Sequence, residues 1–160
     1  MFYGLSRQRQ AFEMAKDVVI AFDGYARPDS IALLIETAMQ ETQLGKYRDP
    51  TDGAGRGITQ FDKMPLEDCI QRAKQSEADI ALEKFGVDIY KIDHDDLDYA
   101  PLVSFIMTRI KYKRIPDAIP KTIEGRAEYW KKHYNSILGK GTVEEYIHNA
   151  MSIDWPEGVI

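Results

Sequence analysis

Residues 29–45 read DSIALLIETAMQETQLG, a stretch in which apolar residues recur with the period of a helix. At about 100° per residue, apolar and small side chains cover most of its circumference, which is typical of a central, buried helix. Asp29 or Ser30 is a suitable N-cap, and we expect the helix to extend to residue 43.

The polar residues of this helix divide into two groups. Glu36, Gln40 and Gln43 form a narrow strip, so we expect Glu36 to be a surface residue and a poor catalyst. Glu41 falls outside this strip, on the side expected to face the protein. Burial raises the pKa of a carboxyl, and the negative C-terminal end of a helix raises it further. Glu41 is therefore a candidate proton donor, unless an Arg or Lys of the core pairs with it.

Helical periodicity dominates the rest of the chain, and no run of alternating strands is present. Further helices are predicted at residues 7–22, 65–85, 98–112, 122–134 and 142–151. Gly24 and Gly86 are suited to ending two of them, and residues 87–96 are acidic and loop-like. The sequence predicts an all-α or α-dominated fold, with room for a small β-hairpin within residues 45–64.

Length and composition indicate a globular protein. The chain has 160 residues, of which 44% are hydrophobic and 29% are charged. That length predicts a single domain over residues 1–160. The net charge of −5 argues against nucleic acid as a partner. Cys69 is the only cysteine, so no intramolecular disulfide can form.

Neither a secretory signal nor a membrane span is evident in the sequence. Residues 1–10, MFYGLSRQRQ, lack the basic start and the apolar run of a signal peptide. No apolar stretch approaches the length of a membrane-spanning helix. We therefore expect synthesis in a cytosol, with any export depending on another route.

A long glycine-rich segment follows the central helix. Residues 45–64 read GKYRDPTDGAGRGITQFDKM, and a loop of this length within a compact domain is usually functional or disordered. Glycines let a backbone approach a ligand closely. An acid at a helix end, facing a glycine-lined groove, is the arrangement needed to protonate a glycosidic oxygen.

Glu-Thr-Gln-Leu-Gly stands at 41–45, and Gly-Ala-Gly-Arg-Gly-Ile-Thr-Gln-Phe-Asp-Lys follows at 53–63. These motifs resemble the goose-type lysozymes and the related lytic transglycosylases, which have Glu-Ser/Thr at the end of a buried helix. A Gly-rich segment ending in Gly-Leu-Met-Gln follows in those families, and residues 57–60 stand in for that ending. Asp62 and Lys63 look especially like the goose-type version.

A second match lies near the C-terminus. Tyr-Asn at 134–135 and Gly-Lys-Gly-Thr-Val-Glu-Glu-Tyr at 139–146 resemble the Tyr-Asn-Gly segment of those families and the helix after it. Ser-Ile-Leu is inserted at 136–138. Tyr-Trp-Lys-Lys-His-Tyr-Asn at 129–135 and Gly-Lys-Gly-Thr at 139–142 occur together, and in this respect the chain looks more like bacteriophage-encoded members.

The resemblance implies a lysozyme-like fold and cleavage of the β-1,4 bond between N-acetylmuramic acid and N-acetylglucosamine in peptidoglycan. Glu41 would be the general acid, and Tyr134 would hydrogen-bond near it and orient it. Asp62 matches one of two aspartates that position the water in goose-type lysozymes. The other has no clean counterpart, since Asp49 and Asp52 are both near but out of register.

The resemblance also implies a set of substrate-binding residues. Gln60 and the backbone around Gly55, Gly57 and Ile58 would line the sugar groove. Asn135 would belong to this set and hold the local backbone. No cofactor is implied.

Two reactions are open at this point. With an effective second carboxylate, water attacks from the opposite face of the sugar and the anomer inverts. Without one, the 6-hydroxyl of N-acetylmuramic acid attacks and gives a 1,6-anhydro product, with Glu41 acting first as acid and then as base.

A catalytically inactive, lysozyme-like structural or interaction protein of a virion is the alternative function. The imperfect second aspartate and the insertion at 136–138 motivate it. The resemblance to bacteriophage members implies synthesis in the cytoplasm of a bacterial host and action on cell-wall peptidoglycan. The partners would be glycan strands and, for a virion-associated protein, other virion proteins.

Other polar residues have ordinary interpretations. His94, His133 and His148 lack the spacing of metal ligands, so we expect no metal site. Trp130 is expected in the core rather than as a platform for sugar.

A basic patch at residues 109–114 contains Arg109, Lys111, Lys113 and Arg114. The default interpretation is a solvated helix face. The alternatives are contact with the carboxylates of peptidoglycan stem peptides, with nucleic acid or with a partner protein.

Overall fold

A computed structural model of the protein describes residues 1–48, 53–135 and 139–160. Across these ranges the chain is 61% helical, and a two-stranded antiparallel hairpin is the one sheet. The α-dominated class predicted from the sequence is therefore confirmed. No helix in the described ranges has the length and apolar character that a membrane span requires.

The helices and strands follow one another along the chain in a simple order. They are α1 (Arg9–Asp23), α2 (Pro28–Thr42), β1 (Gly55–Arg56), β2 (Phe61–Asp62), α3 (Lys63–Arg72), α4 (Gln75–Phe85), α5 (Pro101–Lys113), α6 (Ile123–Trp130) and α7 (Val143–Met151). Short 3-10 turns lie at Ile89–Lys91 and His94–Asp98, and a π-helical turn at Lys131–Asn135 continues α6.

The central helix α2 is buried as expected. Ile31, Leu34, Ile35 and Ala38 are at most 1% exposed, and α2 contacts α1, α5, α6 and α7. Each of these Leu and Ile side chains contributes about 1.5–3 kcal/mol when it leaves water. Gly24 ends α1 with a left-handed φ of 84°, as the sequence predicts.

The start of α2 differs from the prediction, because neither Asp29 nor Ser30 is its N-cap. The helix begins at Pro28, whose fixed φ and missing N–H suit a first helical position, and Arg27 is the extended N-cap. The hydroxyl of Ser30 instead donates to Asp23 Oδ2 at 2.8 Å. The polar side chains at this end therefore connect α2 to the end of α1.

The single helix predicted at residues 65–85 is wrong, because two helices occupy this segment. The backbone is extended at Ala73 and Lys74, which ends α3 and begins α4. A side-chain oxygen of Glu77 accepts the backbone N–H of Lys74 at 2.9 Å. This hydrogen bond satisfies a backbone donor at the new helix N-terminus.

The prediction that Glu36 lies at the surface is also wrong. Its side chain is 2% exposed and accepts hydrogen bonds from Arg126 Nε and Nη2, both at 2.7 Å. The hydroxyl of Tyr146 donates to the same carboxylate at 2.9 Å. Further along the strip, Gln40 accepts from the amide of Asn149 at 2.7 Å. Glu36 and Gln40 of the polar strip therefore face α6 and α7, whereas Gln43 at its end is exposed.

Candidate active site

A polar groove of about 310 Å³ lies at the C-terminal end of α2. Its lining combines residues from α2, the hairpin and the π-helical turn. They are Glu41, Tyr47, Gly53, Ala54, Gly55, Gln60, Asp62, Tyr134, Asn135 and Gly139. Six residues predicted for the site from sequence thus come together in one groove. Asp49 and Asp52, the candidates for a second carboxylate, fall outside the described residues.

The end of α2 is tied to the hairpin segment by the threonine that follows Glu41. The hydroxyl of Thr42 donates to the carbonyl of Ile58 at 2.7 Å and accepts the N–H of Gly45 at 3.1 Å. Gln43 ends the helix in the left-handed region, with φ 50°. Glu41 therefore occupies the last turn of a buried helix, and the neighbouring Thr42 ties that turn to the hairpin segment.

Gly57 and Ile58 are not among the residues that line the groove, and their assignment as substrate-binding residues stays a prediction. Ile58 is fully buried, and its carbonyl already accepts from Thr42. Gly57 has a φ of 76°, and a Cβ there would lie 2.8 Å from the carbonyl oxygen of Leu97. Its N–H donates to Asp98 Oδ1 at 2.9 Å. Gly57 and Ile58 therefore attach the hairpin segment to Asp98 and to Thr42 of α2.

Gln60 reaches the groove on a strained backbone, with φ 48°. Its amide nitrogen donates to the carbonyl of Gly57 at 2.9 Å and lies 3.2 Å from the hydroxyl of Tyr3. These contacts hold the amide in one orientation at the groove wall.

Asp62 is exposed at the groove and follows Phe61, which is 1% exposed. A ring nitrogen of His94 lies 2.6 Å from the carbonyl oxygen of Phe61. The hairpin is thereby attached to the 3-10 turn at His94–Asp98, and the carboxylate of Asp62 is kept on the groove side.

Tyr134 lines the groove, but its hydroxyl donates to the carbonyl of Thr59 at 2.8 Å rather than to the carboxyl of Glu41. Burial, followed by the charge of Glu41, raises the pKa of the Tyr134 hydroxyl, which therefore stays protonated. The tyrosine joins the π-helical turn to the hairpin segment.

The carboxyl of Glu41 receives its hydrogen bond from Trp130, whose indole N–H donates to Oε1 at 3.2 Å. Burial raises the pKa of Glu41 from 4.5 to about 7. The hydrogen bond from Trp130 and the charge of Lys111 oppose this rise, while the charge of Asp62 adds to it. At neutral pH a large fraction of the molecules therefore hold Glu41 protonated.

Lys111 is a residue of this site that the sequence interpretation missed. Its ammonium lies 4.2 Å from the ring centroid of Tyr134 and 5.2 Å from that of Phe61, which are cation–π distances. Burial lowers its pKa. Ser104 and Thr108 are both fully buried on α5, and the i, i+4, i+7 spacing that they share with Lys111 could have indicated its inward position.

The basic patch is not a solvated face at Arg109. This side chain is buried at 4% exposure, and its Nε and Nη2 donate to the carboxylate of Asp23 at 3.0 Å. Arg114 pairs with Asp68 at 3.1 Å. These two cations of the patch are bound by acidic residues of the chain itself.

Asn135 belongs to a lysine-centred network at the groove edge. The ammonium of Lys131 donates to Asn135 Oδ1 at 2.7 Å and to the carbonyl oxygens of Gly139 and Gly141 at 2.9 and 2.6 Å. The network joins the two sides of the insertion at 136–138, which itself falls outside the described residues.

Among the described residues, no group of three or more His, Cys, Asp or Glu side chains is arranged to hold a metal ion. Comparisons with protein-family models, curated protein sequences and solved structures find no match for this chain. Function is therefore inferred from the groove and from the short motifs that line it.

Proposed function

We propose that this protein is a lysozyme-like enzyme that cleaves the β-1,4 bond between N-acetylmuramic acid and N-acetylglucosamine in peptidoglycan. The observation that carries the proposal is the carboxyl of Glu41, whose pKa burial raises to about 7 in a polar groove. A carboxyl protonated near neutral pH is the donor that glycosidic cleavage requires. The motifs at 41–45, 53–63 and 134–146 add their resemblance to goose-type lysozymes and lytic transglycosylases.

In the first step, the hydroxyl of the Glu41 carboxyl gives its proton to the glycosidic oxygen. The bond between that oxygen and the anomeric carbon breaks, and its electron pair goes to the oxygen. Glu41 becomes a carboxylate, whose charge the ammonium of Lys111 stabilises. Gln60 and Gly55 form the wall against which the sugar lies.

The second step decides the product. If Asp62 activates a water on the opposite face, the water adds its hydroxyl to the anomeric carbon, its proton goes to the Asp62 carboxylate, and the product is a reducing sugar. If the 6-hydroxyl of N-acetylmuramic acid attacks instead, its proton goes to the Glu41 carboxylate and the product is a 1,6-anhydro sugar. The anhydro product is lighter by one water.

The proposed setting follows from the motifs that resemble bacteriophage members. The protein is made in the cytoplasm of a bacterial host and acts on the peptidoglycan of the cell wall, either released as an enzyme or carried in the virion. In the second case, virion proteins are additional partners.

Digestion of purified peptidoglycan sacculi, followed by mass analysis of the products, tests the proposal. Wild-type protein should release glycan fragments, and Glu41→Gln should lower the rate at least about 100-fold, because the amide cannot donate the acid's proton. Glu13→Gln is the matched control, since Glu13 has a half-exposed side chain paired with Arg9 on α1 and does not line the groove. It should keep the wild-type rate.

Full activity in Glu41→Gln would overturn the proposed role of this carboxyl. Binding of glycan strands by wild-type protein without any release of product would support the alternative, an inactive interaction protein of a virion. The mass of the chain ends distinguishes hydrolysis from the 1,6-anhydro route.

A further inference from the structure

Trp130 is the last residue of α6, and it contacts α2 directly. Its indole N–H donates to Glu41 Oε1 at 3.2 Å, and the ring is fully buried. One helical turn earlier, Arg126 binds the carboxylate of Glu36. The helix α6 is therefore attached to α2 at two points, and this attachment sets the position of the indole along the groove.

The indole ring is held tightly on its other faces. It packs on the ring of Tyr146 with a centroid distance of 5.2 Å and an interplanar angle of 36°. A Cβ on Gly141 would lie 2.6 Å from Cη2 of Trp130, so the backbone there can approach the ring only because residue 141 is glycine. The direction of the N–H is therefore fixed by packing.

A neutral carboxyl group has one oxygen that carries the proton and one that accepts hydrogen bonds well. We infer that Trp130 is a positioning residue for Glu41. Its N–H occupies Oε1, so the proton is held on Oε2, and the same N–H stabilises the carboxylate that remains when the proton leaves. The catalytic part of this inference rests on the proposed function, whereas the protonation part does not.

Four other titratable groups interact electrostatically with Glu41. They are Asp62 from the hairpin, Lys111 and Tyr112 from α5, and Tyr134 from the π-helical turn. None of the four has a hydrogen bond to the carboxyl of Glu41 among the described residues, and Asp62 and Lys111 shift its pKa through their charges. Trp130 is the group that distinguishes one carboxyl oxygen from the other.

The fluorescence of Trp130 provides a test that does not depend on activity. The chain has two tryptophans, so Trp155→Phe leaves Trp130 as the only one. Trp155 packs against Phe12 of α1, at a centroid distance of 5.5 Å, and does not line the groove. In this variant the emission of Trp130 should titrate with a midpoint near pH 7, the pKa of Glu41. The titration should vanish when Glu41→Gln is added.

An emission that does not change between pH 5 and 9 would overturn the inference. So would a titration that persists unchanged with Glu41→Gln, because a histidine would then be its source. These outcomes are independent of any enzymatic assay. If the wild-type protein fails to cleave sacculi, the proposed function is wrong. The fluorescence titration still tests the hydrogen bond between Trp130 and Glu41.

Trp130→Phe tests the catalytic part, because it keeps an aromatic ring and removes the N–H. The pKa of Glu41 should rise, so the alkaline limb of the pH–rate profile should move up by about one pH unit. The maximal rate should fall about tenfold. Trp155→Phe is the matched control and should leave the alkaline limb of the pH–rate profile unchanged.

A purely structural role for Trp130 predicts a different result. The rate would then fall equally at every pH, and the alkaline limb would stay where it is in the wild type. If Trp130→Phe does not fold, the fluorescence titration in the Trp155→Phe variant decides the inference, because that variant keeps Trp130.

Discussion

Glu36 and Glu41 belong to the same helix, but Glu36 is 2% exposed in the interior, whereas Glu41 is half-buried at the groove. Glu36 is held by a bidentate ion pair with Arg126 and by the hydroxyl of Tyr146. Glu41 receives a neutral N–H from Trp130 and borders a groove. A buried carboxyl that a guanidinium binds directly stays ionised and serves as a structural group, whereas one whose hydrogen bond comes from a neutral donor can hold a proton and act as an acid.

The two environments are built by the same pair of helices. α6 presents Arg126 to Glu36 and, four residues later, Trp130 to Glu41. The ion pair fixes the register between α2 and α6, and that register brings the indole to the second carboxyl. The ion pair between Arg126 and Glu36 therefore determines the geometry of the hydrogen bond between Trp130 and Glu41.

Breaking the ion pair between Arg126 and Glu36 should have the largest effect. Arg126→Met leaves the carboxylate of Glu36 buried without its cation, so the free energy of unfolding should fall by about 3–5 kcal/mol, as measured by urea denaturation at pH 7. Arg9→Met removes a cation from an exposed pair with Glu13 and should cost less than about 1 kcal/mol. Equal losses in the two variants would contradict the distinction between them.

The ionisation of Glu41 should make the free energy of unfolding depend on pH. Because folding raises the pKa of Glu41 from 4.5 to about 7, the folded state favours the protonated carboxyl. Its stabilising contribution is complete below pH 4.5 and is lost as the pH rises to about 7. Relative to Glu41→Gln, wild-type protein should lose at most about 3 kcal/mol across this interval.

Unfolding free energies of both proteins, measured from pH 4 to 8, provide this comparison. The difference between the two cancels the titration of the other groups. A difference that stays constant with pH would mean that the pKa of Glu41 is not raised by folding.

The smallest expected effect comes from Lys111. Its charge lowers the pKa of Glu41, so Lys111→Met should raise that pKa and move the alkaline limb of the pH–rate profile upward. The shift should be less than about one pH unit, because Lys111 acts without a direct hydrogen bond. Lys113→Met is the control, since Lys113 donates to the carbonyl of Phe22 at 3.2 Å, away from the groove. A downward shift in Lys111→Met would contradict this role.

Several features of the fold were predictable because they depend on neighbours along the chain. The buried helix at 29–43 and the ends at Gly24 and Gly86 follow from periodicity and from the left-handed conformation that glycine accepts. The inward direction of Glu41 follows from its angle on the same helix.

Other features were not predictable, because their partners are remote in sequence. The strip containing Glu36 has the pattern of a solvated face, and only the packing of α6 and α7 over it supplies Arg126 and Tyr146. The same packing supplies Trp130 to Glu41, where the motif had indicated Tyr134. Lys111 was assigned to a basic patch for the same reason.

The period of the central helix, the helix ends at Gly24 and Gly86 and the angle of Glu41 could be read from the amino-acid sequence, since they arise from the fixed rotation of a helix and from interactions within a few residues. The packing of α6 on α2 brings Arg126 to Glu36 and the neutral N–H of Trp130 to Glu41, and no local pattern shows this. The free energy of a buried charge depends on atoms within a few ångströms, and for Glu36 and Glu41 those atoms come from residues about ninety positions away.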